Sequence, residues 1–159
     1  MTMTIRRARP GDEHDIVRLV RALASYEREP DAVKATPGGL AMLLFGDTPK
    51  VFAHVAEVDG AVVGIAVWFF NFSTWTGRNG IYLEDLFVDP AVRGGGVAHA
   101  LFKALADEAK VHDCARIDWG VLDWNELAKG FYRRLGARQM QGWEPWRLDG
   151  DELKALQDD

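Results

Sequence analysis

Residues 94–96 are three consecutive glycines, and they separate two apolar segments of different periodicity. The segment before them, GIYLEDLFV at 80–88, has the β-branched and aromatic content of a strand. The segment after them repeats apolar residues at helical spacing and predicts a helix from Val97 to about Val111. Glycine loses more backbone entropy on folding than any other residue. Three in a row therefore indicate a loop whose backbone something must approach closely.

The rest of the chain alternates strand and helix patterns, without an internal repeat or a linker. Further strands are predicted at 5–8, 51–58, 61–70 and 116–122, and in PWRLDG at 145–150. Asp59-Gly60 predicts a tight turn between two of these strands. One helix is predicted from Ile16, Leu19, Val20 and Leu23, entered through Asp12, and another between an Asn125 cap and Gly136. These elements predict a mixed α/β fold in a single domain over residues 1–159, with antiparallel hairpins early and a β-α-β unit late.

Composition and charge exclude several classes of function. Cys114 is the one cysteine, so no internal disulfide is expected and a reducing cytoplasm is the expected compartment. The four histidines show no ligand spacing, so no metal site is expected. A net charge of −5 without a Lys/Arg cluster argues against a nucleic-acid partner and fits a small cationic one. No apolar run approaches the roughly 18–20 residues of a membrane span, so no membrane partner is expected.

The glycine loop lies where a strand gives way to a helix, a junction that suits an anion. Free backbone N–H groups and the positive end of the helix dipole meet there. The dinucleotide motif G-x-G-x-x-G would need glycine at His99, and no G-K-[ST] follows for a P-loop. A flexible strand-to-helix turn is the alternative interpretation of these residues.

Longer motifs carry a family resemblance. The stretch IYLEDLFVDPAVRGGGVAHALFKAL has Arg93, Gly96 and Ala98 at the positions of Arg-x-x-Gly-x-Ala, and it resembles the pyrophosphate motif of the GNAT superfamily of N-acetyltransferases. LASYERE at 23–29 and VLDWNELAKGFYRRLGA at 121–137 are similar to its spermidine/spermine and thialysine branch. The resemblance implies a twisted, mostly antiparallel sheet whose central strands splay apart, with acetyl-CoA in the gap.

The resemblance also implies a set of cofactor contacts. The pantetheine arm of acetyl-CoA would pair with Leu86, Phe87 and Val88, as an added strand pairs with a sheet edge. The pyrophosphate would lie on backbone amides of the loop, and two residues of the later helix would complete the set. The expected cofactor residues are Leu86, Phe87, Val88, Arg93, Gly94, Gly95, Gly96, Val97, Ala98, His99, Asn125 and Tyr132.

The chemistry implied is attack of a neutral primary amine on a thioester. Such an amine is protonated at neutral pH and must lose a proton. Glu84 and Asp85 could accept it, although strict strand alternation would send them to opposite faces unless a bulge intervenes. The resemblance points to Glu84 as the base, through a water, and to Tyr132 as the general acid. A core tyrosine is the alternative for Tyr132, and a main-chain N–H at Phe87 or Val88 is expected to stabilise the developing oxyanion.

The acceptor is expected to be a small amine. The expected substrate residues are Tyr26, Glu27, Glu84, Asp85, Trp75 and Asp118. NFSTW lacks an acidic residue before its tryptophan, and Asp118 stands where the polyamine branch commonly has a basic residue. A shorter diamine or a thialysine-like amino acid therefore fits at least as well as a long polyamine. An acyl-CoA sensor without turnover and an acetyltransferase for proteins or peptides remain alternatives, and a homodimer using the aromatic GWEPW segment is expected.

Overall fold

Five α-helices, one short 3-10 helix and five strands make up the described part of the chain, residues 2–159 of a computed structural model. In chain order they are β1 (Met3–Arg7), α1 (Glu13–Tyr26), α2 (Pro37–Phe45), β2 (Phe52–Val58), β3 (Ala61–Ser73), β4 (Arg78–Val88), a short 3-10 helix (Pro90–Val92), α3 (Val97–Val111), β5 (Ile117–Asp118), α4 (Glu126–Arg134) and α5 (Gly150–Gln157). The mixed α/β fold class is confirmed.

The strands form one mixed sheet in the order β1-β2-β3-β4-β5. The first four strands pair antiparallel, and β5 pairs parallel to β4 after the α3 crossover. The early hairpins and the late β-α-β unit are therefore confirmed. Asp59 and Gly60 both have positive φ, 51° and 84°, as a tight turn between β2 and β3 requires.

The chain divides into two compact units, one ending at Trp124 and the other spanning Asn125–Asp159. The first unit holds the whole sheet with α1, α2 and α3, and the second holds α4 and α5. The assignment of all 159 residues to one domain stays a prediction.

Helices cover both faces of the sheet in the first unit. On one face, a buried cluster joins α1 and α2 to the sheet; its members are Ile16, Leu19, Leu44, Ala53, Val55, Ile65, Val67 and Phe87. On the other face, α3 packs closely against β3 at Gly64, where an added Cβ would lie 3.1 Å from Cγ1 of Val97. Positions Gly64, Ala66 and Trp68 therefore face α3, because side chains alternate along a strand.

Two predicted strands differ from the observed ones. The segment 116–122 is paired only at Ile117–Asp118. The strand predicted in PWRLDG is wrong, because its residues are exposed and have no partner strand among the described residues, and α5 begins at Gly150. Alternation of apolar residues is not enough to form a strand without a neighbouring strand to take its hydrogen bonds.

The helix ends follow the predicted signals in part. Asn125 caps α4, and its Oδ1 accepts a hydrogen bond from the Ala128 amide at 3.1 Å. Asp12 precedes α1 without a side-chain cap; its carboxylate instead accepts from Arg6 at 2.6 Å. No helix of residues 2–159 has the length and apolar character needed to cross a bilayer.

Candidate active site

A β-bulge in β4 places the two predicted acid–base residues. Asp85 pairs with Val67 and Leu83 pairs with Trp68, so Glu84 is an extra residue that faces no partner in β3. The register of the two strands shifts at this point. A bulge of this kind turns two successive side chains toward the same side of the sheet.

The direction of the two carboxylates follows from their neighbours. Asp85 shares the face of its partner Val67, which belongs to the core cluster under α1 and α2. Leu83 shares the face of Trp68, toward α3, so Glu84 lies on the side opposite Leu83. Glu84 and Asp85 therefore share the α1 face of the sheet. The sequence analysis required a bulge for both side chains to reach one site, and this bulge is present.

Asp85 is electrostatically unusual. Burial first, and then the nearby charges of Glu84 and Glu27, together raise the pKa of its carboxyl to about 6. Burial also raises the pKa of Glu27, at the C-terminal end of α1. Glu84 itself is exposed. Three carboxylates thus gather at one place, where a cation would relieve their mutual repulsion.

The end of α1 meets the glycine loop through stacked side chains. The guanidinium of Arg93 lies 5.2 Å from the ring centroid of Tyr26 and 5.6 Å from that of Phe87. Its Nε donates to the carbonyl oxygen of Val88 at 3.3 Å. Arg93 therefore ties the loop back to β4 and to α1.

The sheet opens beside β4. Its pairing with β5 ends at Tyr82, opposite Asp118. From Leu83 to Val88, β4 has β3 on one side and, among the described residues, no strand on the other. The predicted splay of the central strands is confirmed, and this free stretch includes the three residues expected to pair with an extended ligand.

The glycine loop presents a row of free amides. Gly94 and Gly96 have φ of 87° and 81°, and a Cβ at either would meet nothing within 4 Å. Glycine is required at these two positions because of the left-handed backbone conformation, and not because a side chain would clash with other atoms of the protein. The first α3 amide to bond back is that of Ala100, to the Gly96 carbonyl at 2.9 Å. The amides at 94–99 have no partner among the described residues and can take an anionic ligand at the helix N-terminus.

Two predicted substrate residues lie elsewhere on the sheet. Trp75 is in the β3–β4 turn and is 82% exposed. Strands rise about 3.3 Å per residue, so this turn lies roughly 20 Å along β4 from the carboxylates. Asp118 is on β5, where its carboxylate accepts from Arg116 Nε at 3.1 Å. Roles for both stay predictions.

The two remaining predicted residues belong to the second unit. Asn125 is buried, and its side-chain oxygen caps α4 by accepting a hydrogen bond from the Ala128 amide. Tyr132 is half-buried on α4, with its ring 5.9 Å from that of Phe131. Neither observation tests a catalytic role.

Sequence reasoning missed Arg28, which ends α1 in a left-handed conformation. Its φ is 66°, its amide donates to the Ser25 carbonyl at 3.1 Å, and the Glu29 amide donates to the Ala24 carbonyl at 2.8 Å. This pair of bonds is a Schellman motif, whose left-handed position is usually glycine. The Arg28 guanidinium lies 3.9 Å from the ring centroid of Trp124. Arg28 lies five residues after Leu23, the last apolar residue of the predicted helix, so the sequence does not show that it ends the helix.

Comparison with known proteins identifies the family. Residues 16–137 match the acetyltransferase (GNAT) family. The thialysine N-epsilon-acetyltransferase of Bos taurus is 39% identical, over 96% of this chain and 95% of the relative. A spermidine/spermine N(1)-acetyltransferase-like protein of Homo sapiens is 33% identical, over 94% of this chain and 23% of its own length. An integron cassette protein from the V. cholerae mobile metagenome superposes with a TM-score of 0.80 at 30% identity, over 100% of this chain and 99% of that one.

The chain therefore belongs to the GNAT family and is an acetyltransferase. The family resemblance drawn from RGGGVA and LDWN is confirmed.

Proposed function

We propose that this enzyme transfers the acetyl group of acetyl-CoA to a primary amine of a small molecule. The observation that carries the proposal is the row of free amides at 94–99 directly after the unpaired stretch of β4. An extended arm with a phosphate at its end fits such an arrangement. The names of the relatives, a thialysine and a spermidine/spermine acetyltransferase, support a small amine as acceptor.

The residues at the splay fit acetyl-CoA. Leu86, Phe87 and Val88 would pair with its pantetheine arm, and the amides from Gly94 to His99 would hold its pyrophosphate. The left-handed glycines leave open space at the Cβ positions, as close approach of a phosphate requires. Bound acetyl-CoA would supply the thioester carbonyl that the amine attacks.

Side chains of this protein take the proton from the amine and give a proton to the departing thiolate. Asp85, with its raised pKa, holds the substrate ammonium, and Glu84 accepts the proton that the amine loses, through a water. As the nitrogen–carbon bond forms and the carbon–sulfur bond breaks, Tyr132 Oη donates a proton to the departing thiolate. An amide N–H at Phe87 or Val88 stabilises the negative charge that develops on the carbonyl oxygen.

A thiol-release assay tests this function. The wild-type enzyme is mixed with acetyl-CoA and, in turn, with diamines, spermidine, thialysine, lysine and a peptide with a free N-terminus. We expect free coenzyme A to appear with small amines and not with the peptide. Release with the peptide alone would favour the protein acetyltransferase, and coenzyme A binding without release for any amine would favour the sensor.

We also propose a homodimer that uses the C-terminal region. Within the second unit, Trp143 is 67% exposed and Trp146 is 91% exposed. A cluster of large exposed apolar side chains marks an interaction surface, and most soluble oligomers are symmetric homo-oligomers. Sedimentation at micromolar concentration is expected to give a species heavier than the 17.7 kDa chain, and the single-chain mass alone would contradict the proposal.

A cytoplasmic location is proposed on the cysteine content. Cys114 is free and has no cysteine partner in the sequence. A chain without disulfides suits a reducing compartment. Fractionation of cells expressing the full natural protein would test it.

A further inference from the structure

We infer that His54 is a positioning residue for the two carboxylates on the opposite face of the sheet: its hydrogen bond with Trp68 fixes the register at which β4 bulges at Glu84. His54 lies on β2, and neither the sequence motifs nor the proposed proton transfers involve it. Its effect on kinetics rests on the proposed function, whereas its effect on the carboxylates themselves does not.

His54 and Trp68 form a buried polar contact on the α3 face of the sheet. Both side chains lie on that face, because His54 pairs with Ala66, two positions before Trp68. Both are buried. The indole Nε1–H of Trp68 donates to Nδ1 of His54 at 3.1 Å. Nδ1 is therefore unprotonated, and burial, which lowers the pKa of His54, favours this neutral form.

The imidazole of His54 is also held from its other side. Its Nε2 faces Glu108 of α3, with 3.6 Å to Oε1. Glu108 in turn accepts two hydrogen bonds from the Arg7 guanidinium of β1, both at 2.7 Å. The imidazole therefore lies between a fixed carboxylate and the indole N–H, and its Nδ1 is a fixed acceptor for Trp68.

Trp68 is the β3 residue at which the pairing with β4 changes. Trp68 pairs with Leu83, and the preceding Val67 pairs with Asp85, so that Glu84 is the extra residue between them. A fixed position for Trp68 fixes Leu83 opposite it, and with Leu83 the place of the bulge. The bulge is what turns Glu84 to the same face as Asp85.

Aromatic packing around Trp68 does not replace this hydrogen bond. Phe52 stacks on the indole with ring centroids 4.9 Å apart, and Phe70 meets it edge-on at 5.2 Å. Such contacts depend mainly on area and allow more than one direction of the indole N–H. A buried indole N–H needs an acceptor, so the direction of Nε1 toward His54 selects one orientation of the ring.

Four variants test this role. His54→Leu removes the acceptor, whereas His54→Asn places an amide oxygen near the position of Nδ1. Trp68→Phe removes the donor, alone and together with His54→Leu. Val58→Ala is the control for lost stability, because Val58 is buried on the same strand but pairs with Ala61, seven residues along β3 from Trp68. Denaturant unfolding first establishes that each variant is folded.

The kinetic measurement is kcat/KM at pH 8 and saturating acetyl-CoA, with the amine that wild type acetylates fastest among diamines, spermidine, thialysine and lysine. We expect His54→Leu to lower it about 10- to 100-fold, because misplacing reacting groups by about 1 Å costs rates of this order. His54→Asn and Val58→Ala should stay within about threefold of wild type, well short of that loss.

In the Trp68→Phe background, adding His54→Leu should change kcat/KM by no more than about threefold, because no indole N–H is left without an acceptor. Three results each overturn the inference: a His54→Leu enzyme as active as wild type, a His54→Asn or Val58→Ala enzyme as impaired as His54→Leu, or a full further loss in the double variant.

Titration of the Asp85 carboxyl by carbon NMR separates this inference from the proposed function, because it needs no turnover. The pKa of Asp85 is about 6 in wild type. In His54→Leu it should fall by about one pH unit, an ordinary environmental effect, because Asp85 no longer shares a face with Glu84. His54→Asn should keep the wild-type pKa.

If wild type acetylates no amine, the proposed function fails, while a lowered Asp85 pKa in His54→Leu still supports the positioning role. An Asp85 pKa in His54→Leu within about 0.3 of wild type, well inside the ordinary spread of such values, overturns it.

Discussion

Glu84 stands opposite no residue of β3, and this unpaired position turns it to the same face as Asp85. The two carboxylates differ in environment despite being adjacent. Asp85 is half-buried, with its pKa raised to about 6, whereas Glu84 is exposed. One site therefore holds two carboxylates in different environments, which is how neighbouring carboxylates take different roles.

The first prediction concerns the pH profile of activity. Asp85 must be ionised to hold the substrate ammonium, so kcat/KM should fall as the pH drops through about 6. Asp85→Asn should lower kcat/KM throughout and remove this acidic limb. Glu84→Gln is the matched control: it should lower kcat and keep the limb, moved to lower pH because the charge of Glu84 no longer raises the pKa of Asp85. An acidic limb that persists in Asp85→Asn and disappears in Glu84→Gln would reverse the two assignments.

The second prediction concerns stability. A buried acid with a raised pKa binds its proton more tightly in the folded state, so its cost is absent below the unfolded pKa near 3.8 and fully present above about 6. Asp85→Asn should therefore unfold with a free energy higher than wild type at pH 7, by on the order of 2 kcal/mol, and the gain should vanish at about pH 3, below both pKa values. Denaturant unfolding at both pH values measures it. An equal gain in Glu84→Gln, an exposed position, would show that burial is not the cause.

Local signals in the sequence predicted much of the fold. Positive φ at both residues of Asp59-Gly60 and the Asn125 cap depend on side chains within a few positions of each other. The same holds for Gly136, with φ of 90° just after α4. The loop that opens α3 also follows from its own glycines. Such features need no knowledge of the rest of the chain.

The features that define the site depend on pairing between distant segments. The bulge at Glu84 exists only because β3 and β4 change register there, and the short β5 leaves the gap beside β4. The stacking of Arg28 on Trp124 joins the end of α1 to the end of the first unit. The periodicity of a segment predicts which face of the sheet or helix a residue occupies, but not its register or its partner. The bulge, the gap beside β4 and the stacking of Arg28 on Trp124 could therefore not be predicted from it.

The third prediction separates catalysis from packing at Tyr132. Tyr132→Phe removes one oxygen and keeps the ring beside Phe131. If the hydroxyl protonates the leaving thiolate, kcat should fall by about 10²–10⁴ while coenzyme A still binds as in wild type. Thiol release and calorimetry measure the two quantities. A kcat within about threefold of wild type, well short of general acid catalysis, would assign Tyr132 to packing.

The last prediction tests the glycine loop with two glycines of matched geometry. Gly96 and Gly60 have φ of 81° and 84°, and a Cβ at either meets nothing within 4 Å. Gly96→Val and Gly60→Val should therefore carry a similar strain, about 1–3 kcal/mol each in unfolding free energy. Only the first places a branched side chain where a pyrophosphate would lie. Calorimetry should show the coenzyme A dissociation constant raised about tenfold or more in Gly96→Val, equivalent to about 1.4 kcal/mol, and unchanged in Gly60→Val. Equal affinities in the two folded variants would mean that the amides at 94–99 hold no phosphate.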